Sequence, residues 1–222
     1  MHLFHHTYDS PKENISIDET LLRLVDKGNY PKGILRIWES DAYFVVLGLS
    51  KKIKDDVNEH NCHADGIPIL KRCSGGGTVL QGPGCFNYGY ILPISLAPEL
   101  ASLHLTTEYI LNKVIHALSY KFKSIELKGI SDLVINNIKF SGNAQRRLKH
   151  SILFHGTILY DFDLSLVTKY LKLPPIQPEY RQQRPHEDFI QNIPMSQSDL
   201  IKTFKQNTTS EPIYHNQINL IH

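Results

Sequence analysis

Asp132-Leu133-Val134-Ile135-Asn136-Asn137-Ile138-Lys139-Phe140 holds two β-prone runs on either side of an Asn-Asn step. Asparagine tolerates the left-handed backbone of a tight turn, so the stretch predicts an antiparallel hairpin. Asp132 begins one strand and Lys139 lies near the start of its partner, which brings a carboxylate and an ammonium to neighbouring places on a sheet. An isolated surface pair of this kind is ordinarily an ion pair worth about 0 to 1 kcal/mol. The small residues Ser141, Gly142 and Ala144 that follow leave room for a ligand beside the lysine.

Outward from the hairpin, β-prone runs recur at residues 125–127, 151–160, 67–72, 78–80 and 86–92. In the last of these Phe86, Tyr88 and Tyr90 alternate with Asn87, Gly89 and Ile91, which predicts a half-buried strand. Residues 35–38 and 43–47 read as a second hairpin around Glu39-Ser40-Asp41-Ala42. Helical spacing appears at Ile17, Leu21, Leu24 and Val25, with Ser16 and Glu19 as a capping box and Gly28 as the stop. It appears again at Ile110, Val114, Ala117, Leu118 and Phe122 behind Thr106 and Thr107 as caps, and in shorter stretches at residues 164–171 and 198–205. Pro174, Pro175 and Pro178 enforce an extended loop between these two. The expectation is an α+β fold, a mixed and mostly antiparallel sheet packed with helices, in one domain over residues 1–222.

With 24 basic and 22 acidic residues the formal charge is +2, too balanced for non-specific nucleic-acid or membrane-surface binding. Any phosphate recognition must be local. The three cysteines, Cys62, Cys73 and Cys85, form no CxxC pair, so a reducing, cytoplasmic setting is expected. Residues 1–10 lack the order of a signal peptide, and no apolar run approaches membrane-spanning length, which reads as a soluble chain. His2, His5 and His6 read as solvated or partly packed rather than as a metal site.

Two further motifs bear on chemistry. In Lys71-Arg72-Cys73-Ser74-Gly75-Gly76-Gly77-Thr78-Val79 the glycines let backbone approach a ligand closely, their amides suit an anionic or carbonyl group, and Arg72 adds charge. No G-K-[ST] ends the loop and no G-x-G-x-x-G is present, so neither a P-loop nor a dinucleotide fingerprint applies. By itself such a glycine turn is more often structural. In Phe154-His155-Gly156-Thr157-Ile158-Leu159 the histidine can meet a ligand, hold the Lys139 loop, or be a satisfied core residue.

Together and in this order the three segments resemble the lipoate-protein ligase A family of the biotin/lipoate ligase superfamily, over roughly residues 1–190. That family has R-R-x-S-G-G-G/A, then N-D-L/I leading to a lysine and G-x-A, then H-H-G-T-L-L. Asp18-Glu19 and Val46-Leu47-Gly48 agree as well. Lys71, Ser131 and Phe154 depart from the family's arginine, asparagine and first histidine. The resemblance implies a class II biotin/lipoate ligase-like catalytic domain with ATP and Mg2+ as cofactors and lipoate or octanoate as substrate. It makes Lys139 the catalytic residue and Asp132 the metal ligand. The adenylate site would be formed by Arg72, Ser74, Gly75, Gly76, Gly77, Asn87, Gly142, Ala144 and His155. The acceptor would be a lysine on a lipoyl domain or carrier protein. The chain ends without the family's small C-terminal accessory domain, which leaves that part to a separate partner or to a less active enzyme.

Two rivals follow. An ATP-independent octanoyl or lipoyl transferase would carry the acyl group on a cysteine, with Cys73 the one in a ligand-loop position. A non-catalytic sensor or adaptor would keep the pocket without turnover. Biotin ligation lacks its G-R-G-R-x-x-x-x-W loop.

Overall fold

The computed structural model describes residues 1–206, 212–214 and 218; the rest of the expected 1–222 domain lies outside the described residues. Strand β1 (His2–His5) leads to helix α1 (Pro11–Asp26), β2 (Ile34–Trp38), β3 (Phe44–Leu47) and the short helices α2 (Ile53–Asp56) and α3 (Glu59–Ala64). Then come β4 (Ile69–Lys71), β5 (Val79–Gln81), β6 (Cys85–Pro93) and α4 (Leu103–Leu118). The second half contains β7 (Ile125–Lys128), β8 (Asp132–Ile135), β9 (Ile138–Arg147), β10 (Ser151–Leu159), α5 (Ser165–Tyr170), α6 (His186–Phe189) and α7 (Gln197–Lys205).

Among the described residues, seven strands form one sheet in the order β1-β2-β6-β10-β9-β8-β7, and three form a second in the order β4-β3-β5. Each sheet has one parallel pair, β1 with β2 and β3 with β4; all other pairs are antiparallel. The mixed, mostly antiparallel α+β architecture is the expected one. Asn136 and Asn137 take φ of 52° and 63°, the left-handed pair that closes the β8–β9 turn.

Several expectations are corrected. Residues 35–38 and 43–47 are not a hairpin: β2 pairs with β6 in the large sheet and β3 with β4 and β5 in the small one. Both strands are buried along their whole length, so each needs cover that a lone hairpin does not supply. Helix α1 starts at Pro11 rather than after Ser16, because proline suits the first helical position; Ser16 lies inside and donates to the Glu13 carbonyl. Ser102, not Thr106 or Thr107, caps α4 by accepting from the Leu105 amide. The histidine-rich start is partly packed, as expected: it forms β1 on the edge of the large sheet, with His5 exposed and His2 and His6 half-buried.

Strand β6 is buried on both faces, not one. Its Phe86, Tyr88, Tyr90 and Leu92 pack with Ile110, Leu111 and Val114 of α4 and Leu200 and Phe204 of α7. Ile91, on the other face, packs with Leu21, Leu24 and Val25 of α1. Helices thus cover both faces of the large sheet, and residues of both sheets line the site.

Candidate active site

Within the β8–β9 hairpin Val134 pairs with Lys139 and Asp132 with Gly142, with an irregularity between Leu133 and Val134. Lys139 therefore reaches Asp132 along the strand, and its Nζ lies 2.7 Å from Oδ1. A Cβ at Gly142 would sit 2.9 Å from Nζ and 3.0 Å from Cε, so the bare glycine is what lets the lysine lie there. The other carboxylate oxygen accepts from the Tyr180 hydroxyl at 2.7 Å. Burial and then the Asp132 charge push the Tyr180 phenol up, which keeps it a donor. Lys139 and Asp132 are 25% and 15% exposed, so the pair borders space rather than lying open on the surface.

Arg72 organises the glycine loop. Its Nη2 donates to the Gly75 carbonyl at 2.6 Å and to that of Gly77 at 2.8 Å, Nη1 to Val46 O at 3.3 Å, and Nε to Ser74 Oγ at 3.0 Å. In a planar trans peptide the N–H points opposite to the carbonyl before it. Drawing the Gly75 and Gly77 carbonyls onto Arg72 thus turns the Gly76 and Thr78 amides away from it, and backbone amides so directed suit an anion. Burial lowers the guanidinium to about 10, so it stays charged at neutral pH. Gly76 has φ of 90°, and a Cβ there would lie 3.0 Å from Arg72 Nη2, whereas Cβ atoms at Gly75 and Gly77 would meet open space.

Behind the loop runs a buried chain. Ser74 Oγ lies 2.6 Å from His155 Nε2, and His155 Nδ1 lies 2.8 Å from Asp18 Oδ2. Arg36 Nη1 donates to Asp18 Oδ1 at 2.5 Å and to the Asn14 carbonyl at 2.7 Å. Burial alone would raise the Asp18 carboxyl, but the Arg36 charge and the hydrogen bonds from His155 and Arg36 outweigh it and hold it low. Arg36 is fully buried. Removing either ion would leave an uncompensated buried charge, at a cost of about 3–5 kcal/mol.

These groups surround a cavity of about 940 Å³ lined by Arg72, Gly75, Gly76, Gly77, Asn87, Asp132, Lys139, Gly142, Ala144 and His155. Ser74 does not line it; it is fully buried and belongs to the chain behind the loop, which corrects its expected contact with a ligand. Arg72 borders the cavity but turns its donors to the loop, and His155 holds the glycine loop rather than the Lys139 segment. Ser131, where an asparagine was expected, donates to the Asn143 carbonyl at 2.6 Å. Asn143 in turn bonds Tyr88 in space that a Cβ at Gly156 would fill.

On one side of β5 the cavity is apolar, walled by Ile15, Trp38, Val46 and Val79. On its other side lies Asp56, whose Oδ2 accepts from Thr78 at 2.6 Å while Oδ1 has no partner among the described residues. None of the three cysteines lines the cavity. Burial, and then Asp18 and Glu19, push the Cys73 thiol up to about 11; burial also raises Cys62 and Cys85.

Sequence reasoning missed Arg36, Tyr180 and the role of Asp18. Two of them left a trace: Arg36 interrupts the apolar run Ile34-Leu35-Arg36-Ile37, and Asp18 falls on the same helical face as Leu21, Leu22 and Val25.

Comparison with known proteins gives a family match to the lipoyl protein ligase A/B catalytic domain over residues 10–208. Lipoate-protein ligase LplJ of Bacillus subtilis (strain 168) is 27% identical over 165 residues, 74% of this chain and 47% of that protein. The chain thus spans about half the length of the curated relatives it matches, 46% and 47% for three of them. Two solved structures share the fold. One is described as a bipartite lipoate protein ligase and its E2 lipoyl domain from Thermoplasma acidophilum, with TM-score 0.75, 18% identity, and coverage of 99% of this chain and 90% of that one. The other is a lipoate-protein ligase A bound with ATP, with TM-score 0.75, 20% identity, and coverage of 99% and 91%. Among the described residues no helix is long and apolar enough to cross a membrane.

Proposed function

The chain belongs to the lipoyl protein ligase A/B catalytic domain family, and from that premise we propose that it activates lipoate or octanoate with ATP and passes the acyl group to a lysine of a lipoyl domain. The observation that carries this reading is that Lys139, Asp132 and Gly75, Gly76 and Gly77 line one cavity, which has an apolar wall and a buried carboxylate elsewhere in its lining. The Ile15, Trp38, Val46 and Val79 wall suits an acyl chain. The Asp56 carboxylate, with an unpaired buried acceptor, suits the hydroxyl or amine donors of a nucleoside. Lys139 and the loop supply positive potential for phosphate.

In the first step a carboxylate oxygen of the acid attacks the α-phosphorus of ATP, the bond to the β-phosphate oxygen breaks, and pyrophosphate leaves. Lys139 Nζ neutralises charge gathering on the α-phosphoryl oxygens. In the second, the acceptor amine attacks the acyl carbon, AMP departs, and Lys139 stabilises the carbonyl oxygen. Lys139 acts by charge and is not a nucleophile.

Asp132, a carboxylate bordering the cavity, would hold Mg2+ through the lone pairs that Lys139 and Tyr180 leave, since this ion commonly keeps waters and is held by one or two carboxylates together with substrate phosphates. Among the described residues no group of three or more His, Cys, Asp or Glu could hold a metal, consistent with a cation carried chiefly by the nucleotide. When bound it would add charge neutralisation at the phosphates. The bipartite Thermoplasma acidophilum ligase supports a lipoyl domain as acceptor and an accessory part as partner.

The test is intact mass of a lipoyl domain after incubation with ATP, Mg2+ and lipoate, with and without an accessory subunit. A second arm supplies octanoyl carrier protein without ATP. Acylation in the first arm alone is expected; acylation in the second alone would replace the ligase with the transferase. Adenylate binding without acylation in either arm would favour the sensor.

A thioester route needs a reactive thiolate, and Cys73, at about 11, is almost all thiol near neutral pH and packs against the α1 cluster. Cys73→Ser is therefore expected to keep most activity. A loss of orders of magnitude, with a thioester adduct on Cys73 by intact mass, would overturn this.

Gly75→Ala probes the ligand directly, because its Cβ would enter open space in the protein alone. The variant should melt like the parent yet bind a non-hydrolysable acyl-adenylate analogue about tenfold or more weakly, the scale of a single overpacked methyl. Unaltered affinity would remove Gly75 from the binding surface.

A further inference from the structure

Ser74, His155 and Asp18 have the connectivity of a nucleophilic triad, but Ser74 is fully buried, does not border the cavity and receives a hydrogen bond from Arg72. Their donors and acceptors instead form a chain with a fixed direction. Arg72 Nε can only donate, so Ser74 Oγ accepts from it. In a neutral imidazole with its proton on Nδ1 the Ser74 hydroxyl then donates to His155 Nε2, 2.6 Å away. An ionised Asp18 can only accept, so His155 carries its proton on Nδ1. Arg36 donates to the second Asp18 oxygen and closes the far end.

We infer that Asp18 and Arg36 are positioning residues for the adenylate loop, acting through the His155 tautomer and Ser74 on Arg72, which holds the Gly75 and Gly77 carbonyls and thereby aims the loop amides. The inference rests on the adenylate reading of the cavity. The chain joins α1, β2, β10 and the segment after β4, elements far apart in sequence, and it ends on the guanidinium that sets the loop. Reversing the imidazole would place an N–H against Ser74 Oγ. That oxygen would then accept from both His155 and Arg72, and its own hydrogen would have to leave the chain. Shared between two donors, that oxygen would hold Arg72 less well in the position that fits it to both carbonyls. An amide at residue 18 does this, since its NH2 can face Nδ1 while its oxygen still accepts from Arg36.

The experiment uses the full chain with Asp18→Asn, Ser74→Ala and both together. It reads calorimetric affinity for a non-hydrolysable acyl-adenylate analogue, the thermal melt, and the 15N shifts of the His155 ring, assigned with His155→Gln. The parent should show the neutral Nδ1–H tautomer, and Asp18→Asn the Nε2–H tautomer. Each single change should weaken analogue binding about tenfold, the scale of one hydrogen bond to a charged group. The double change should be no weaker than the poorer single, because both break one chain. Multiplying losses, parental affinity in folded Asp18→Asn, or an Nε2–H tautomer in the parent would overturn the inference. If Asp18→Asn does not melt cooperatively, Ser74→Ala decides it: weaker binding at an unchanged melt supports the chain, and parental binding overturns it. If the parent itself does not bind the analogue, the adenylate reading falls, while the tautomer and its reversal still decide the chain.

Discussion

Lys139→Ala should lower adenylate formation by about a hundred- to a thousandfold, the effect of removing one preorganised charge-stabilising donor, while the protein stays folded. The ammonium faces the cavity at 25% exposure, so its loss opens no hole in the core. Asp132 keeps its bond from Tyr180 and still borders the cavity, which spares the hairpin from an isolated buried charge. Pyrophosphate release measures the step, and a thermal melt separates chemistry from folding. Parental turnover in a folded variant would remove Lys139 from the mechanism. Lys139→Arg is not expected to restore the rate, because the side chain crosses the bare face of Gly142, where a Cβ would already lie within 3.0 Å of it, and a planar guanidinium is broader than an ammonium.

Gly76→Val should abolish measurable binding of the acyl-adenylate analogue, a loss of at least about a hundredfold. Backbone at φ of 90° is open to glycine and strained by about 1–3 kcal/mol for other residues, more so for a β-branched one. The new Cβ would also press on Arg72 Nη2 at 3.0 Å, the atom that holds the Gly75 and Gly77 carbonyls. Gly75→Ala adds bulk in the ligand's space and leaves the loop alone; Gly76→Val unseats the loop itself. Calorimetry distinguishes them by size of effect, and unchanged affinity in Gly76→Val would mean that the glycines serve only the turn.

The β8–β9 hairpin, its Asn-Asn turn, α7 and the placing of Lys139 beside Asp132 were legible from sequence alone. So was the grouping of the glycine loop with the Lys139 segment and His155 around one cavity, though by resemblance rather than by spacing. Alternation along a strand, periodicity along a helix and turn chemistry are all set within a few residues, and this is the range over which a chain's own letters dictate conformation. Pairing partners are another matter. That β2 and β3 part into different sheets depends on β6 and β5, and that both faces of β6 are buried depends on α1 as well as α4 and α7. The His155–Asp18 contact joins positions 137 residues apart, so neither side chain's local pattern specifies it. Likewise Arg72 reads as a charge for a ligand until the folded loop returns its own carbonyls to the guanidinium. Local sequence determined the elements and which residue types they carry. Tertiary structure alone decided which buried polar groups satisfy one another, because a buried donor must find its acceptor wherever the fold brings one within reach.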